Sequence, residues 1–187
     1  KLFYKLEEKT LVITSQNLVG YVELAAAKMS AVNELGQHYT KLAIKGPGYA
    51  THSTLFGFEF DQKIGAADLQ ELHLESLAPI FSVDLGKFAQ LTTVRLVNCN
   101  ISAADMRRFY INQPAMVLLK QERCVVDYLD FHDIKDLQLA PTLNFEGFIE
   151  VRAQGSGLDS LRYFTKGDAL EIIDFSNTKV TAIDSIR

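Results

Sequence analysis

The chain has 187 residues, of which 48% are apolar and 22% charged, with a net charge of −4. That length supports one buried core, and the acidic balance leaves no basic footprint for nucleic acid and no polybasic patch for a membrane surface. No apolar run approaches the roughly 20 residues that cross a bilayer, so neither nucleic-acid binding nor membrane insertion is expected. Two cysteines, Cys99 and Cys124, are too few for a disulfide-built scaffold and read as reduced thiols. Asn100-Ile101-Ser102 is a formal glycosylation sequon, a triplet common by chance and weak as a sign of secretion.

In chain order, KTLVITSQNL (9–18) alternates Leu11 and Ile13 before Gln16 and Leu18, which predicts a strand. Val22, Leu24 or Ala25, Met29, Val32 and Leu35 follow at helical spacing, in an alanine-rich stretch that favours helix. YTKLAIKGP (39–47) predicts a second strand, with Tyr39, Leu42 and Ile44. The glycine-rich segment after it has no clear periodicity. Its Tyr49, Phe56, Phe58 and Phe60 are expected to pack beneath the loop, a groove for a partner being the alternative. LQELHLESL (69–77) places Leu69, Leu72, Leu74 and Leu77 in a third strand, and LTTVRLVNCNI (91–101) places Leu91, Val94, Leu96, Cys99 and Ile101 in a fourth. A helix should then start at Ser102, a plausible N-cap with Asp105 three residues on. Met106, Phe109 and Tyr110 would be its apolar face, and Pro114 its stop. VDYLDFHDI (126–134), FIEVRAQGSGL (148–158) and LEIIDFSNTKV (170–180) give three more strands. Their tails, LDSLRYF and VTAIDSI, predict single tight turns.

These units share one pattern. Leu170, Ile173, Phe175, Thr178 and Val180, and likewise Leu91, Val94, Leu96, Cys99 and Ile101, match L-x-x-L-x-L-x-x-N/C-x-L. The residue at position 9 is Asn, Cys or Thr because it points inward and bonds backbone groups as the chain turns off the strand. The central residues Leu11, Leu42, Leu72, Val94, Leu129, Val151 and Ile173 are separated by 31, 30, 22, 35, 22 and 22 residues. The chain therefore resembles the leucine-rich-repeat family over most of its length. The resemblance implies an α/β solenoid: a curved parallel sheet of about seven strands, with helices and turns on its convex side, formed by residues 1–187 as a single domain. A lone unit cannot bury its apolar face, whereas stacked units share a core. Lys1 to Glu8 are expected to cap the first strand. The last strand is followed by only one turn, so a longer solenoid or a covered end is expected at Arg187.

By resemblance, the expected role is recognition of another protein on the concave face, not catalysis, and no cofactor or metal is implied. The residues between the inward leucines would form that face. The candidates are His73, Arg95, Tyr128, Asp130, His132, Arg152 and Asp174. Arg and Tyr are frequent binding hot spots. The alternating signs of Arg95, Asp130, Arg152 and Asp174 equally fit mutual surface pairing, stabilising by only about 0–1 kcal/mol per pair. His73, Asp130 and His132 carry metal-ligating groups, but solvated histidines are the favoured reading. Cys99, at an inward position, is read as structural rather than as a nucleophile. Gly46-Pro47-Gly48 and Gly155-Ser156-Gly157 signal turns and match no phosphate loop. Two alternatives stand beside an intracellular adaptor: an extracellular receptor or immune-recognition ectodomain, and a structural assembly subunit that packs by its solenoid ends.

Overall fold

A computed structural model of the chain describes residues 2–7, 10–15, 40–46, 52–56, 69–76, 78–81, 89–111, 113, 115–164 and 167–181. In these residues the chain runs β1 (Leu2–Glu7), β2 (Thr10–Ser15), β3 (Lys41–Lys45), β4 (His52–Phe56), β5 (Glu71–Glu75), β6 (Ala78–Phe81), β7 (Thr93–Val97), α1 (Ala103–Arg107), β8 (Leu118–Glu122), β9 (Tyr128–Asp130), β10 (Asn144–Glu146), β11 (Glu150–Arg152), a 3-10 turn at Arg162–Phe164, and β12 (Ile172–Asp174). The helix expected over Val22–Leu35 lies outside the described residues, as do Tyr49, Phe58 and Phe60.

The architecture is a parallel-strand β-solenoid. A first sheet has the order β1-β2-β3-β5-β7-β8-β10, a second β12-β11-β9, and β4 pairs with β6 in a third. Every neighbouring pair is parallel except β1, which runs antiparallel along the outer edge of β2. The ladder is in register: Leu42 stands beside Leu72, Leu72 beside Val94 and Val94 beside Leu119.

The first sheet has seven strands, but they are not the seven read from the sequence. Of the seven predicted strands, those at Leu11, Leu42, Leu72 and Val94 lie in the first sheet, whereas those at Leu129, Val151 and Ile173 form the second. Two strands not expected from the sequence, β8 at Leu119 and β10 at Phe145, continue the first sheet beyond Val94. From β8 onward one coil carries a strand of the first sheet and a strand of the second, as the earlier strands β3 and β5 are followed by β4 and β6 of the third sheet. Among the described residues α1 is the sole α-helix.

The two faces share a corner. Ser76, Asn98 and Arg123 in the first sheet, and Asp133, Gly155 and Asn177 in the second, all have φ between 51° and 64°. Each falls four residues after the central inward residue of its strand. In the left-handed region Gly is unstrained, and Asn and Asp are tolerated better than most residues. The next residue turns inward: the Cys99 thiol donates to the Leu74 and Val97 carbonyls at 3.4 Å each, and the Thr178 hydroxyl to the Phe175 carbonyl at 2.7 Å. This is the role the sequence assigned to position 9.

Side chains from both faces meet in one core. Leu42, Leu72, Val94 and Leu119 are fully buried, as are Leu129 and Val151 opposite them, and burying each such side chain contributes about 1.5–3 kcal/mol. Towards the later coils the core becomes aromatic. Phe131 packs edge-on against Tyr110 at 5.2 Å and lies 5.9 Å from Phe164, which stacks on Phe145 at 5.8 Å. α1 starts at the expected cap, where the Asp105 N–H donates to the Ser102 hydroxyl at 3.1 Å, but it is shorter than expected and ends at Arg107, so that of the buried Met106, Phe109 and Tyr110 only Met106 lies on it. The helix packs against β9 and so replaces a second-face strand in its coil.

Candidate recognition surface

Strand register arranges the outward residues of the first sheet in rows. One row runs Thr10, Lys41, Glu71, Thr93, Leu118, Asn144; the central row Val12, Ala43, His73, Arg95, Lys120, Glu146; the third Lys45, Glu75, Val97, Glu122. Neighbours within a row are one strand spacing apart, about 4.8 Å, so opposite charges pair across strands. Lys41 meets Glu71 at 2.8 Å, Lys45 meets Glu75 at 2.5 Å, and Lys120 meets Glu146 at 3.0 Å.

Arg95 stands apart from this pairing. It is exposed, forms no ion pair among the described residues, and has His73 and Lys120 as its row neighbours. His73 is half-buried, and its Nε2 is enclosed without a hydrogen-bond partner. Burial lowers the imidazole pKa from its ordinary value; nearby Glu75 pulls it up, and Arg95 and Lys45 push it down. A groove of about 260 Å³ opens here, lined by residues that include Lys41, Glu71, His73, Thr93 and Arg95. Drug-sized pockets span roughly 300–1,000 Å³, so this groove suits a single side chain better than a free metabolite.

The other five candidates lie on the second sheet, in rows Tyr128, Glu150, Ile172 and Asp130, Arg152, Asp174, with His132 just past the end of β9. Here internal pairing dominates. Arg152 donates from Nε and Nη2 to the two Glu150 oxygens at 2.8 and 3.1 Å, and its guanidinium lies 3.6 Å from the Tyr128 ring centroid. The Glu150 carboxyl is held below its usual pKa chiefly by that hydrogen bond. Asp130 accepts from the His132 N–H at 3.0 Å and faces Arg107 at 3.8 Å. Asp174 accepts from the Ser176 N–H and hydroxyl at 3.0 and 2.8 Å, and these bonds lower its pKa. Asp130 and Asp174 thus hold equivalent corners of their coils. His132 Nε2 meets Asp133 at 3.3 Å on the exposed surface.

The structure therefore unites His73 with Arg95 and separates both from Tyr128, Asp130, His132, Arg152 and Asp174. It likewise parts His73 from Asp130 and His132, and no cluster of three metal-ligating side chains occurs among the described residues. Sequence reasoning missed Lys120 and Glu146 because it missed their strands. The signal for β8 was Met116, Leu119, Cys124 and Val126 at repeat spacing, interrupted by Gln121 where leucine is expected. No described helix is long and apolar enough to cross a membrane. Comparison of the chain with protein-family models, with curated proteins and with solved structures finds no match.

Proposed function

We propose that this chain is a non-catalytic recognition scaffold of leucine-rich-repeat type, which holds another protein on the outward face of its first sheet. The observation that carries the reading is Arg95. Three other cations of this sheet, Lys41 and Lys45 on β3 and Lys120 on β8, are already neutralised by partners, whereas this one is exposed and unpaired among the described residues, at the rim of a groove sized for a side chain. A guanidinium binds carboxylate through two parallel hydrogen bonds, so the partner would present an acidic side chain there. The second-sheet residues are supporting structure in this reading, because their charges already satisfy one another.

A photo-crosslinking residue at Thr93, beside Arg95, tests this in extracts of the source organism. The expected result is a discrete crosslinked protein that is lost in Arg95→Glu and kept in Arg152→Glu. Capture unaffected by Arg95→Glu, or abolished only by Arg152→Glu, overturns the assignment to the first sheet.

A second reading, self-association through a solenoid end, is favoured by the state of the last described coil. Ile172 is 54% exposed, and Leu170, Ile173, Phe175 and Val180 are only partly buried, where the equivalent Val151 and Ala153 are sealed. Sedimentation of the wild-type chain and of Ile172→Lys distinguishes it: an oligomer that dissociates on substitution supports assembly, and a concentration-independent monomer excludes it.

A further inference from the structure

Cys99 and Cys124 occupy the same corner of successive coils. Val97 of β7 is in register with Glu122 of β8, and each cysteine follows its strand end by two residues. The Asn98 N–H donates to the Glu122 carbonyl at 2.8 Å and the Val125 N–H to the Cys99 carbonyl at 3.0 Å, so backbone bonds hold the two corners together on both sides of the pair. Each thiol also reaches back to the preceding coil, Cys99 to the Leu74 carbonyl at 3.4 Å and Cys124 to the Leu96 carbonyl at 3.5 Å. The register therefore stacks the two cysteines as neighbours on adjacent coils. Parallel strands bring equivalent Cα atoms within about 5 Å, inside the range of roughly 4.4–6.8 Å that a disulfide spans.

The two thiols differ in access. Cys99 is fully buried, and Cys124 is partly exposed. From this geometry we infer that Cys99 and Cys124 form a thiol–disulfide exchange site, with Cys124 as the attacking group and Cys99 as the resolving one, whose co-reactant is a low-molecular-weight disulfide. The hydrogen bond from Cys99 lowers the Cys124 pKa to about 7, so a large part of it is thiolate at neutral pH, the nucleophilic form. Cys124 Sγ attacks one sulfur of the small disulfide. The S–S bond breaks, and the departing thiolate takes up the proton that Cys124 lost. Cys99 then gives up its proton and attacks Cys124 Sγ, expelling the second small thiolate, which takes that proton. Two electrons pass from the protein to the small disulfide, two small thiols are released, and one bond joins the coils of β7 and β8.

The test is equilibration of the native chain with oxidised glutathione at neutral pH, followed by alkylation and tryptic mapping. The expected product has lost the mass of two hydrogens, carries peptides 96–107 and 124–135 joined through their cysteines, and reverts with dithiothreitol. The bridge closes a loop of about 26 residues and should raise the melting temperature by several degrees. Cys99→Ser keeps a hydroxyl donor beside Cys124 but cannot resolve, so a glutathione adduct should persist on Cys124. Should that variant not fold, the wild-type map decides alone. Two unmodified thiols, stable adducts on both cysteines, or a disulfide between two chains would each overturn the inference.

Discussion

The Tyr110 hydroxyl closes both ends of the Asp130 residue: it accepts from the Asp130 N–H at 3.1 Å and donates to the Asp130 carbonyl at 3.3 Å. Tyr110 lies just beyond α1 and Asp130 ends β9, so one buried phenol locks the helical coil to the coil of β8 and β9. Burial pushes its pKa well above the ordinary value. Tyr110→Phe keeps the ring packing against Phe131 and removes both bonds. Leaving a buried donor unpaired costs about 1–3 kcal/mol, which should appear as a lower urea midpoint with an unchanged m-value.

Gly147 and Gly155 both sit at positive φ, 79° and 64°, yet substitution should not affect them equally. A Cβ on Gly147 would lie 2.0 Å from the Gln121 carbonyl oxygen, which is backbone and cannot move aside. On Gly155 the nearest atom, at 2.6 Å, is the carboxylate of exposed Asp133, which can rotate away. Left-handed backbone alone costs alanine about 1–2 kcal/mol. Gly155→Ala should lose about that much, and Gly147→Ala distinctly more or fail to fold. Parallel thermal melts of the two variants rank them, and an equal loss would mean the Gly147 corner yields.

The repeat was legible because inward side chains and corner residues recur wherever a strand meets the core. That same uniformity hid the second sheet. The corner after Val94 and the corner after Leu129 each use a left-handed residue, Asn98 and Asp133, at the same offset, so sequence does not say which face a unit belongs to. The 35-residue step from Val94 to Leu129 is in fact one coil on the first face, to Leu119, plus a crossing to the second. β10 was illegible for another reason: its corner comes early, at Gly147, only two residues after Phe145. The helix was readable since Ser102 and Asp105 are a local pair. Of the surface, the residue types were legible and their grouping was not, because His73 and Arg95 become neighbours only through strand register, and the ion pairs that single out Arg95 lie between strands.

Under the proposed function, His73 should make stability and recognition depend on pH in opposite directions. Its folded pKa lies below its ordinary value of 6.5 because burial disfavours the cation, with Arg95 and Lys45 adding to that and Glu75 opposing it. As pH falls through about 6.5, the unfolded chain takes up a proton before the folded one does, so the stability of the chain declines until pH reaches the lowered folded value. His73→Gln should flatten that part of the stability profile. A partner carboxylate bound at Arg95, the row neighbour of His73, would instead favour the imidazolium through its charge, so complex formation should take up a proton and tighten over the same window. Affinity independent of pH between about 7 and 5 would place the partner's acid away from His73.

Gln121 stands where Ile44, Leu74 and Leu96 stand on the neighbouring strands, and is buried like them. Its amide does what no leucine could: Oε1 accepts from the Cys124 N–H at 3.1 Å, and Nε2 donates to the Gly147 carbonyl. Gln121→Leu would restore an aliphatic ladder and a better match to the repeat. It would gain apolar burial of at most about 1.5–3 kcal/mol, and would strand a backbone donor and a backbone acceptor at about 1–3 kcal/mol each. Because Gln121 bonds two consecutive corners, the lost bonds should outweigh the gained contact, and the variant should be destabilised by about 1–2 kcal/mol. Hydrogen exchange locates the effect: protection should fall at Cys124 and beside Gly147, while the β3–β5 pairing stays protected. A more stable variant with unchanged exchange would show that those two corners hold without the amide.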